Sequence, residues 1–203
     1  IEHLVRSNAF RLSYIGTNTR KGEYVYNINQ PLAGPGLYGT KPRMFPAYPA
    51  FNYLTNGAGH QYNAMTAEVK RRAATGLTYQ LSYTLARDIG DVERGDGIEN
   101  AYDRRRERGV WIDIPAHRVN GSLIWDVPVG KGKKVLASAG RGLNLLAGGW
   151  QLGSILTLSE GTPINVGQIG DPLQIGTPNV PDATGISPIP TDRSPDKFWN
   201  AAA

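Results

Sequence analysis

The first candidates for chemistry in this chain are five carboxylates crowded into one glycine-rich segment. They are Asp88, Asp91, Glu93, Asp96 and Glu99. Hard oxygen ligands on a flexible loop can bind Ca²⁺, so the first four residues form a weak candidate calcium site. However, the spacing of an EF-hand loop is absent, and the neighbouring arginines can neutralise these acids. We therefore interpret the segment as a charged loop and predict no metal site.

Three further patterns that could support catalysis lack the spacing that catalysis requires. Residues 130–134 read Gly-Lys-Gly-Lys-Lys, which lacks both the glycine spacing and the Ser or Thr of a phosphate-binding loop. The three histidines, His3, His60 and His117, are isolated from one another, and Ser122 and Ser138 have no nucleophile-elbow context. Cysteine is absent, which excludes thiol catalysis, disulfides and Cys-based metal sites. The sequence therefore predicts that the protein is not an enzyme and uses no cofactor.

The clearest structural pattern is in residues 77–85, where large apolar and small polar side chains alternate without interruption. Because side chains alternate across a strand, this segment predicts a β-strand with one apolar face and one polar face. A soluble sandwich strand would show the same alternation. Here the polar face is uncharged, and the length matches the roughly 9–11 residues of a tilted membrane-crossing strand. We predict that the apolar face meets lipid and the polar face meets the lumen of a barrel; the lipid-facing residues are Leu77, Tyr79, Leu81, Tyr83 and Leu85, and the lumen-facing residues are Thr78, Gln80, Ser82 and Thr84.

Four more segments show strand periodicity, namely residues 9–16, 62–71, 119–127 and 150–158, and a weaker one covers 23–29. In the later strands, Trp125 and Trp150 join the predicted lipid-facing set. The lumen-facing set gains Asn120, Ser122 and Asp126. Ile124 and Ile155 interrupt the alternation on this side. No helix is predicted, because residues 135–147 are too rich in glycine. The expected fold is all-β, with antiparallel up-and-down strands that form part of a transmembrane β-barrel as an open, incomplete sheet.

The tryptophans and tyrosines of these strands have two possible roles. Trp111, Trp125, Trp150, Tyr79 and Tyr83 could form a platform on which sugars stack. Aromatic residues spaced along alternating strands are more often an interfacial girdle, which lies where water meets lipid. We therefore favour the girdle.

The connections between these strands differ in length, which is typical of membrane barrels. Residues 72–76 predict a tight turn, whereas residues 30–61, residues 87–118 and everything after residue 159 are long, polar and rich in Gly and Pro. Compact soluble domains rarely contain several structureless loops of this length. Outer-membrane barrels combine short periplasmic turns with long extracellular loops. The link 128–149 falls on the short side although it is about twenty residues long, so the asymmetry is imperfect.

Composition is consistent with a turn-rich β protein. The chain has 203 residues with Gly 25, Pro 14, Tyr 10 and Phe 4, and its net charge is +5. The basic residues are spread among acidic ones, so we expect no nucleic-acid partner. The chain starts at Ile1 without a signal segment, from which we expect a fragment or a processed product.

Several stretches resemble the large TonB-dependent receptors, in particular the Oar-like kind of acidobacterial type. The similar stretches are residues 26–32, 46–51, 62–65, 76–85, 126–133, 148–152, 159–163 and 193–200, and they follow the family's order over nearly the whole chain. Two departures are the Ala116 that intrudes before His117 and the ending at Ala203, where the family continues.

The resemblance implies a 22-stranded barrel, plugged by an N-terminal domain, that imports a scarce nutrient with energy relayed by TonB. On this basis we interpret residues 1–203 as a later part of the receptor barrel, with the plug, the TonB box and the C-terminal strands missing. The implied location is the bacterial outer membrane. The implied partners are outer-membrane lipid, an unknown small nutrient ligand, and the plug domain and TonB system acting through the missing parts.

A second hypothesis is a secreted β-sandwich binding module, for example for glycans. Such a module would bury the apolar strand faces against each other, whereas a barrel leaves them on its outer surface. The sequence does not identify the substrate, and siderophores, oligosaccharides, peptides and vitamins all remain open.

Overall fold

The alternating segments form one antiparallel sheet in a computed structural model that describes residues 1–72, 76–92, 97–111, 113–163 and 166–200. Its seven strands are β1 (Glu2–Val5), β2 (Asn8–Asn27), β3 (Asn52–Arg71), β4 (Leu77–Gly90), β5 (Gly109–Val110), β6 (His117–Asp126) and β7 (Gln151–Ser159). The strands pair in the order β1-β2-β3-β4-β6-β7, and β5 pairs with the far end of β4 beside β6. Every pairing is antiparallel, so the chain meanders up and down as predicted.

The predicted strands exist, but two of them are much longer than their periodicity indicated. The predicted segments 9–16 and 23–29 are the two halves of the single 20-residue strand β2, and residues 52–61, predicted as loop, are the first half of β3. At roughly 3.3 Å per residue, a 20-residue strand extends well past the length needed to cross a bilayer. The upper halves carry polar side chains on both faces, which hides the alternation. These halves extend the sheet beyond its apolar region, toward the long connections.

A β-bulge interrupts the pairing of these two long strands. The register shifts between Thr19 and Gly22 and again before Glu23, and Lys21 adopts a positive φ of 59°. A bulge places an extra residue in one strand and bends that strand locally. It also explains why the sequence of β2 appeared as two separate segments.

Three smaller elements correct the sequence expectations. A short helix, α1 (Arg141–Ala147), lies in the glycine-rich stretch where no helix was predicted. A first strand, β1, precedes the predicted ones, and its Glu2 forms an ion pair with Arg11 of β2 at 2.9 Å. Two 3₁₀ turns, Tyr38–Thr40 and Arg104–Glu107, lie in the long connections.

The connections separate to opposite ends of the sheet. Residues 6–7, 72–76 and 127–150 join strands at one end, which we call the turn end. Residues 28–51, 91–92, 97–108 and 113–116 lie at the other, the loop end, and residues 166–182 contact them there. The predicted turn 72–76 is described only at its edges, since residues 73–75 lie outside the described ranges. The alternation of short and long connections is therefore real, apart from the long link at the turn end.

The buried apolar cluster lies at the loop end, where the upper halves of β2 and β3 meet the long connections. Tyr24, Ala58, Val92 and Ile98 form this cluster, with Tyr26 packed against them. By contrast, Leu81, Tyr83 and Leu85 on the sheet face are 45%, 39% and 41% exposed. None of the helices in the described ranges has the length and apolar character that a membrane span requires. A sheet with a large uncovered apolar face needs an apolar surrounding to be stable.

Candidate functional site: a polar sheet face beneath an interlocked loop cap

The register of the sheet gathers the seven predicted lumen-facing residues on one face, which we call the polar face. Gln80 pairs with Ser122 and Ser82 with Asn120, while Thr78 lies opposite Ile124. Asp126 pairs with Gln151, whose amide donates to its carboxylate at 2.8 Å. Thr84 shares a 3.0 Å hydrogen bond with Thr66 of the neighbouring strand. Directly opposed residues share a side of the sheet, so this grouping follows from backbone pairing.

The polar face is wider and more charged than predicted from the sequence. The pairing of β3 and β2 adds Thr66, Glu68 and Lys70, and also Arg11 and Ser13. Ile155 lies on this face opposite Ser122, where it is 88% exposed. The same period-two pattern that identified β4 could have assigned the additional residues.

The predicted lipid-facing residues lie together on the opposite, apolar face. Leu77 pairs with Trp125, which in turn pairs with Leu152 of β7. Tyr79, Leu81, Tyr83 and Leu85 follow at every second position of the same strand. Phe10, Leu12, Tyr14, Met65, Ala67 and Val69 extend this face across β2 and β3. The result is a continuous apolar band rather than a single stripe.

Trp150 differs from the prediction, which placed it inside the last strand. It comes immediately before β7, where its carbonyl accepts from Val127 N at 2.9 Å. Its indole N–H donates to the carbonyl of Leu146 in α1 at 2.8 Å. Trp150 therefore anchors the turn-end link to the edge of the sheet.

A cavity of about 630 Å³ opens near the loop end of the sheet, and we call it the His60 cavity. His60 Nδ1 lies 3.1 Å from Asp88 Oδ1, and the ring of Trp111 packs edge-on against His60 with centroids 4.0 Å apart. The β2 bulge contributes Arg20 and Lys21 to the wall. The cavity therefore combines an aromatic ring, an imidazole, two cations and one acid, Glu23, beside the polar face. No pattern along the chain indicated this site, because its members come from four distant segments.

The long connections are ordered and hold one another in place, which the sequence did not predict. We call residues 28–51, 97–111 and 166–182 the loop cap. Gln30 is 2% exposed. Its amide donates to Glu99 O at 2.8 Å and accepts from Ala101 N at 2.6 Å. Thr177 donates to the same Glu99 carbonyl at 2.7 Å, so one backbone group joins all three segments.

Glu99 is the charged centre of this cap. Its carboxylate, nearly buried, accepts from Val180 N at 2.9 Å and pairs with Arg106 at 3.1 Å. Arg106 also reaches Asp182 at 2.8 Å. Buried carboxylates require such partners, because an unpaired charge away from water is costly. The sequence showed Glu99 only as one of five loop acids.

Two other polar side chains, the buried Asn29 and the half-buried Asp171, fix the individual loops. Asn29 accepts from Phe45 N at 2.8 Å and donates to the carbonyls of Phe45 and Tyr48 at 3.0 and 2.7 Å. Asp171 accepts from Ile175 N and Gly176 N at 3.0 and 2.7 Å. Asx side chains commonly replace backbone partners in this way. The loops therefore keep a defined shape with little regular secondary structure.

Arg104 fastens the loop cap to the long strands. Its guanidinium donates to Gly57 O at 2.7 Å and to Asp91 Oδ2 at 2.8 Å. It also lies over the Tyr24 ring, 4.6 Å from the centroid. Neighbouring Arg105 is exposed and pairs only with Asp103. Three contacts to three segments make Arg104 a structural clamp.

Two acids of the cap have shifted pKa values. The Arg105 side chain and backbone N–H lower the pKa of Asp103 to about 2. Burial raises the pKa of Glu107, against the opposing hydrogen bond from Glu99 N. Both acids lie in the 3₁₀ turn or cap it, so the charge of the turn depends on its packing.

The candidate calcium ligands have other partners where they are described. Asp88 pairs with His60, and Asp91 accepts from Gly59 N at 2.6 Å and from Arg104. Glu93 and Asp96 lie outside the described residues. No group of three potential metal ligands occurs within the described ranges.

Comparison with known proteins identifies the family. A family model described as an outer membrane beta barrel domain matches residues 2–203. No curated protein and no solved structure matches the chain. The antiparallel meander, the continuous apolar face and the long loops at one end agree with such a domain. The alternative of a secreted β-sandwich required apolar faces buried against each other, but they are exposed. The chain belongs to the outer membrane beta barrel domain family, and its location is the bacterial outer membrane.

Proposed function

We propose that this chain is a wall and loop segment of a TonB-dependent receptor that takes up a scarce nutrient across the outer membrane. The single observation that carries the proposal is the loop cap, in which one buried residue, Glu99, joins three long loops at the same end of the sheet. A barrel that serves only as an open pore has no need for such extensive buried polar contacts in its loops. A receptor does, because a preorganised surface loses less entropy when it binds a ligand.

The same proposal assigns the polar face to the lumen, where it contacts the plug or the substrate path. The residues concerned are Thr78, Gln80, Ser82, Thr84, Asn120, Ser122 and Asp126. The His60 cavity is the entry to this path from the loop end, since Thr19, His60 and Gly90 occupy one row of the sheet. Its two cations outnumber its acid, Glu23, and together with its tryptophan they suit a ligand that has an anionic group and a flat or apolar part.

The remaining partners follow from this orientation. The apolar face contacts outer-membrane lipid, and the plug domain and the TonB system act through other parts of the receptor. We propose a non-catalytic role without a cofactor and without nucleic acid, since no arrangement of acid, base and nucleophile supports a reaction among the described residues.

Coupling to TonB is tested with the purified full-length receptor in detergent. Isothermal titration with the periplasmic domain of TonB measures binding, and a receptor without its TonB box is the control. We expect saturable binding to the intact receptor that the deletion abolishes. Absence of binding to both proteins would contradict the receptor assignment while leaving the barrel fold unaffected.

Ligand entry is tested separately by substitution in the His60 cavity. Mass spectrometry identifies the small molecules that the full-length receptor retains from bacterial growth medium. We expect Trp111→Leu to reduce retention of at least one compound, because it removes the aromatic wall. Trp150→Leu at the turn end is the matched control and should leave retention unchanged. Equal retention by both variants would exclude the cavity from the ligand path.

A further inference from the structure

A second cavity, of about 550 Å³, lies on the apolar face where that face ends toward the loops. Tyr14, Met65 and Leu85 form one row across three strands and line it. The next row toward the loops is Gly16, Asn63 and Arg87. The lining therefore changes from apolar to polar between two adjacent rows. We call this the Arg87 cavity.

The polar side of the Arg87 cavity presents donors and a positive charge. Arg87 is exposed, and none of the described carboxylates forms an ion pair with it. Tyr14 donates its hydroxyl to Asn63 Oδ1 at 2.6 Å, which leaves the Asn63 amide NH₂ as a further donor. The adjacent acid, Asp88, also lines the cavity, but its carboxylate belongs to the opposite face, where it contacts His60. The cavity therefore has an apolar floor and a cationic, hydrogen-bond-donating rim.

This arrangement selects an amphiphile with an anionic head. If Arg87 only extended its charged group from the apolar face into water, it would need no cavity beside it. A guanidinium binds phosphate oxygens in pairs, and its rigid fork suits this geometry better than an ammonium group does. The row of Tyr14 and Leu85 ends the continuous apolar band, because Arg87 and Asn63 form the next row, and beyond it Ile89 and Val110 lie beside Gln61. Arg87 therefore has the height of lipid head groups in the leaflet nearest the loops. Basic pockets at this depth are favourable sites for anionic lipids.

We propose that the Arg87 cavity binds a phosphorylated lipid of the outer leaflet, with a phosphate on Arg87 and Asn63 and an acyl chain along Met65 and Leu85. This inference rests on the outward orientation of the apolar face in the proposed function. The bound lipid would seal the receptor surface at the base of its loops, next to β5.

The test is native mass spectrometry of the delipidated full-length receptor, titrated with diphosphorylated lipid A. One interfacial cation contributes about 1 kcal/mol, so we expect Arg87→Gln to weaken binding about fivefold. Arg87→Lys should restore part of the affinity. Arg118→Gln is the matched control, because Arg118 is an exposed arginine on the polar face, where it pairs with Thr84, three positions along β4 from Arg87. Dephosphorylated lipid A should bind the unaltered receptor about fivefold more weakly, a comparison that needs no substitution.

The possible outcomes separate this inference from the proposed function. If only the Arg118→Gln protein lost affinity, the polar face rather than the apolar face would contact lipid. That result would overturn both the lipid site and the proposed function. Unchanged affinity in the Arg87→Gln protein, with no preference for phosphorylated lipid, would overturn the lipid site alone. Complete competition by inorganic phosphate at a concentration equal to that of the lipid would also overturn it, because the acyl chain would then contribute nothing.

Discussion

At the scale of single residues, the loop cap depends on a few side chains that each join several segments. Arg104 contacts Gly57, Asp91 and Tyr24, whereas neighbouring Arg105 contacts only Asp103. Charge-assisted hydrogen bonds of partly buried groups contribute more to stability than exposed ion pairs, whose median is near zero. The two adjacent arginines are therefore expected to differ greatly in importance.

We expect Arg104→Ala to destabilise the junction between the cap and the long strands by about 2 kcal/mol. The measurement is amide hydrogen exchange of residues 52–60 and 97–111 in the full-length receptor, where that loss corresponds to roughly 30-fold faster exchange. Arg105→Ala is the matched control and should change exchange in neither segment. Equal effects of both substitutions would contradict the clamp role of Arg104.

Glu107 gives the cap a pH dependence whose sign follows from its burial. Because burial raises the pKa of Glu107, the folded cap binds this proton more tightly than the unfolded chain does. The associated stability is complete below the ordinary pKa of a glutamate and is lost as the pH rises through the raised pKa. Exchange of residues 99–107, corrected for intrinsic rates, should therefore be better protected at pH 5 than at pH 8.

The Glu107→Gln variant tests this sign directly. It keeps an oxygen acceptor for Glu99 N and carries no charge, so the difference between pH 5 and pH 8 should disappear. Asp103→Asn is the control, since the pKa of Asp103 is about 2 and its charge is constant over this range. A pH difference that persists in the Glu107→Gln protein would assign it to another group.

At the scale of elements, β4 combines both environments of the barrel wall. Its odd positions from 77 to 85 form the apolar face, and Arg87 and Ile89 continue that side toward the loops. The nine residues 77–85 span about 30 Å along the strand, or about 23 Å after the usual tilt, which matches the apolar band of membrane barrels. We therefore expect the change at Arg87 to mark the edge of the membrane.

Site-directed spin labelling from Leu77 to Gly90 in the full-length protein locates the edge of the membrane along β4. We expect odd positions up to 85 to be accessible to oxygen in lipid and even positions to a water-soluble relaxation agent. Labels at 87 and 89 should report water, although they share the apolar side. Protection of the odd positions from both agents would instead indicate a packed soluble core, and the receptor proposal would fail.

At the scale of the whole molecule, the loop cap is expected to open as one unit. Its three segments share Gln30, Glu99 and Thr177 through mutually dependent hydrogen bonds. Cooperative units of this kind exchange their amides together, at a free energy below that of global unfolding. A loop surface that opens cooperatively can change from a closed to an open state without unfolding the barrel below it.

Gln30→Ala tests this cooperativity. The substitution leaves Ala101 N without its buried acceptor, which we expect to destabilise the cap by about 2 kcal/mol. Thr177 still satisfies the Glu99 carbonyl, so the cap should remain assembled. Hydrogen exchange should then become faster in all three cap segments, whereas Gln80→Ala on the exposed polar face should change none of them. Acceleration confined to residues 28–51 would show that the loops open independently.

The sequence by itself determined the strands in the membrane region and the sidedness of their residues. Period-two alternation depends only on neighbours along one chain, so residues 77–85 predicted their own strand and faces. The register of β4 with β6 then grouped Gln80 with Ser122 and Leu77 with Trp125 as expected. The contrast between short turns and long loops was also readable, because loop length is a local property.

Only the tertiary structure decided what the loops do. Gln30, Glu99 and Thr177 are polar residues in polar segments, and nothing along the chain distinguishes them from solvated neighbours. They become buried because separate loops meet, and the hydrogen bonds that satisfy them span 69 and 78 positions in sequence. The continuous strands β2 and β3 were hidden for a related reason, since polar and glycine residues interrupt the apolar ones on both sides of their upper halves. Sequence periodicity reveals a strand when its two faces differ in polarity. The upper halves of β2 and β3 show no such difference until the loop cap covers them.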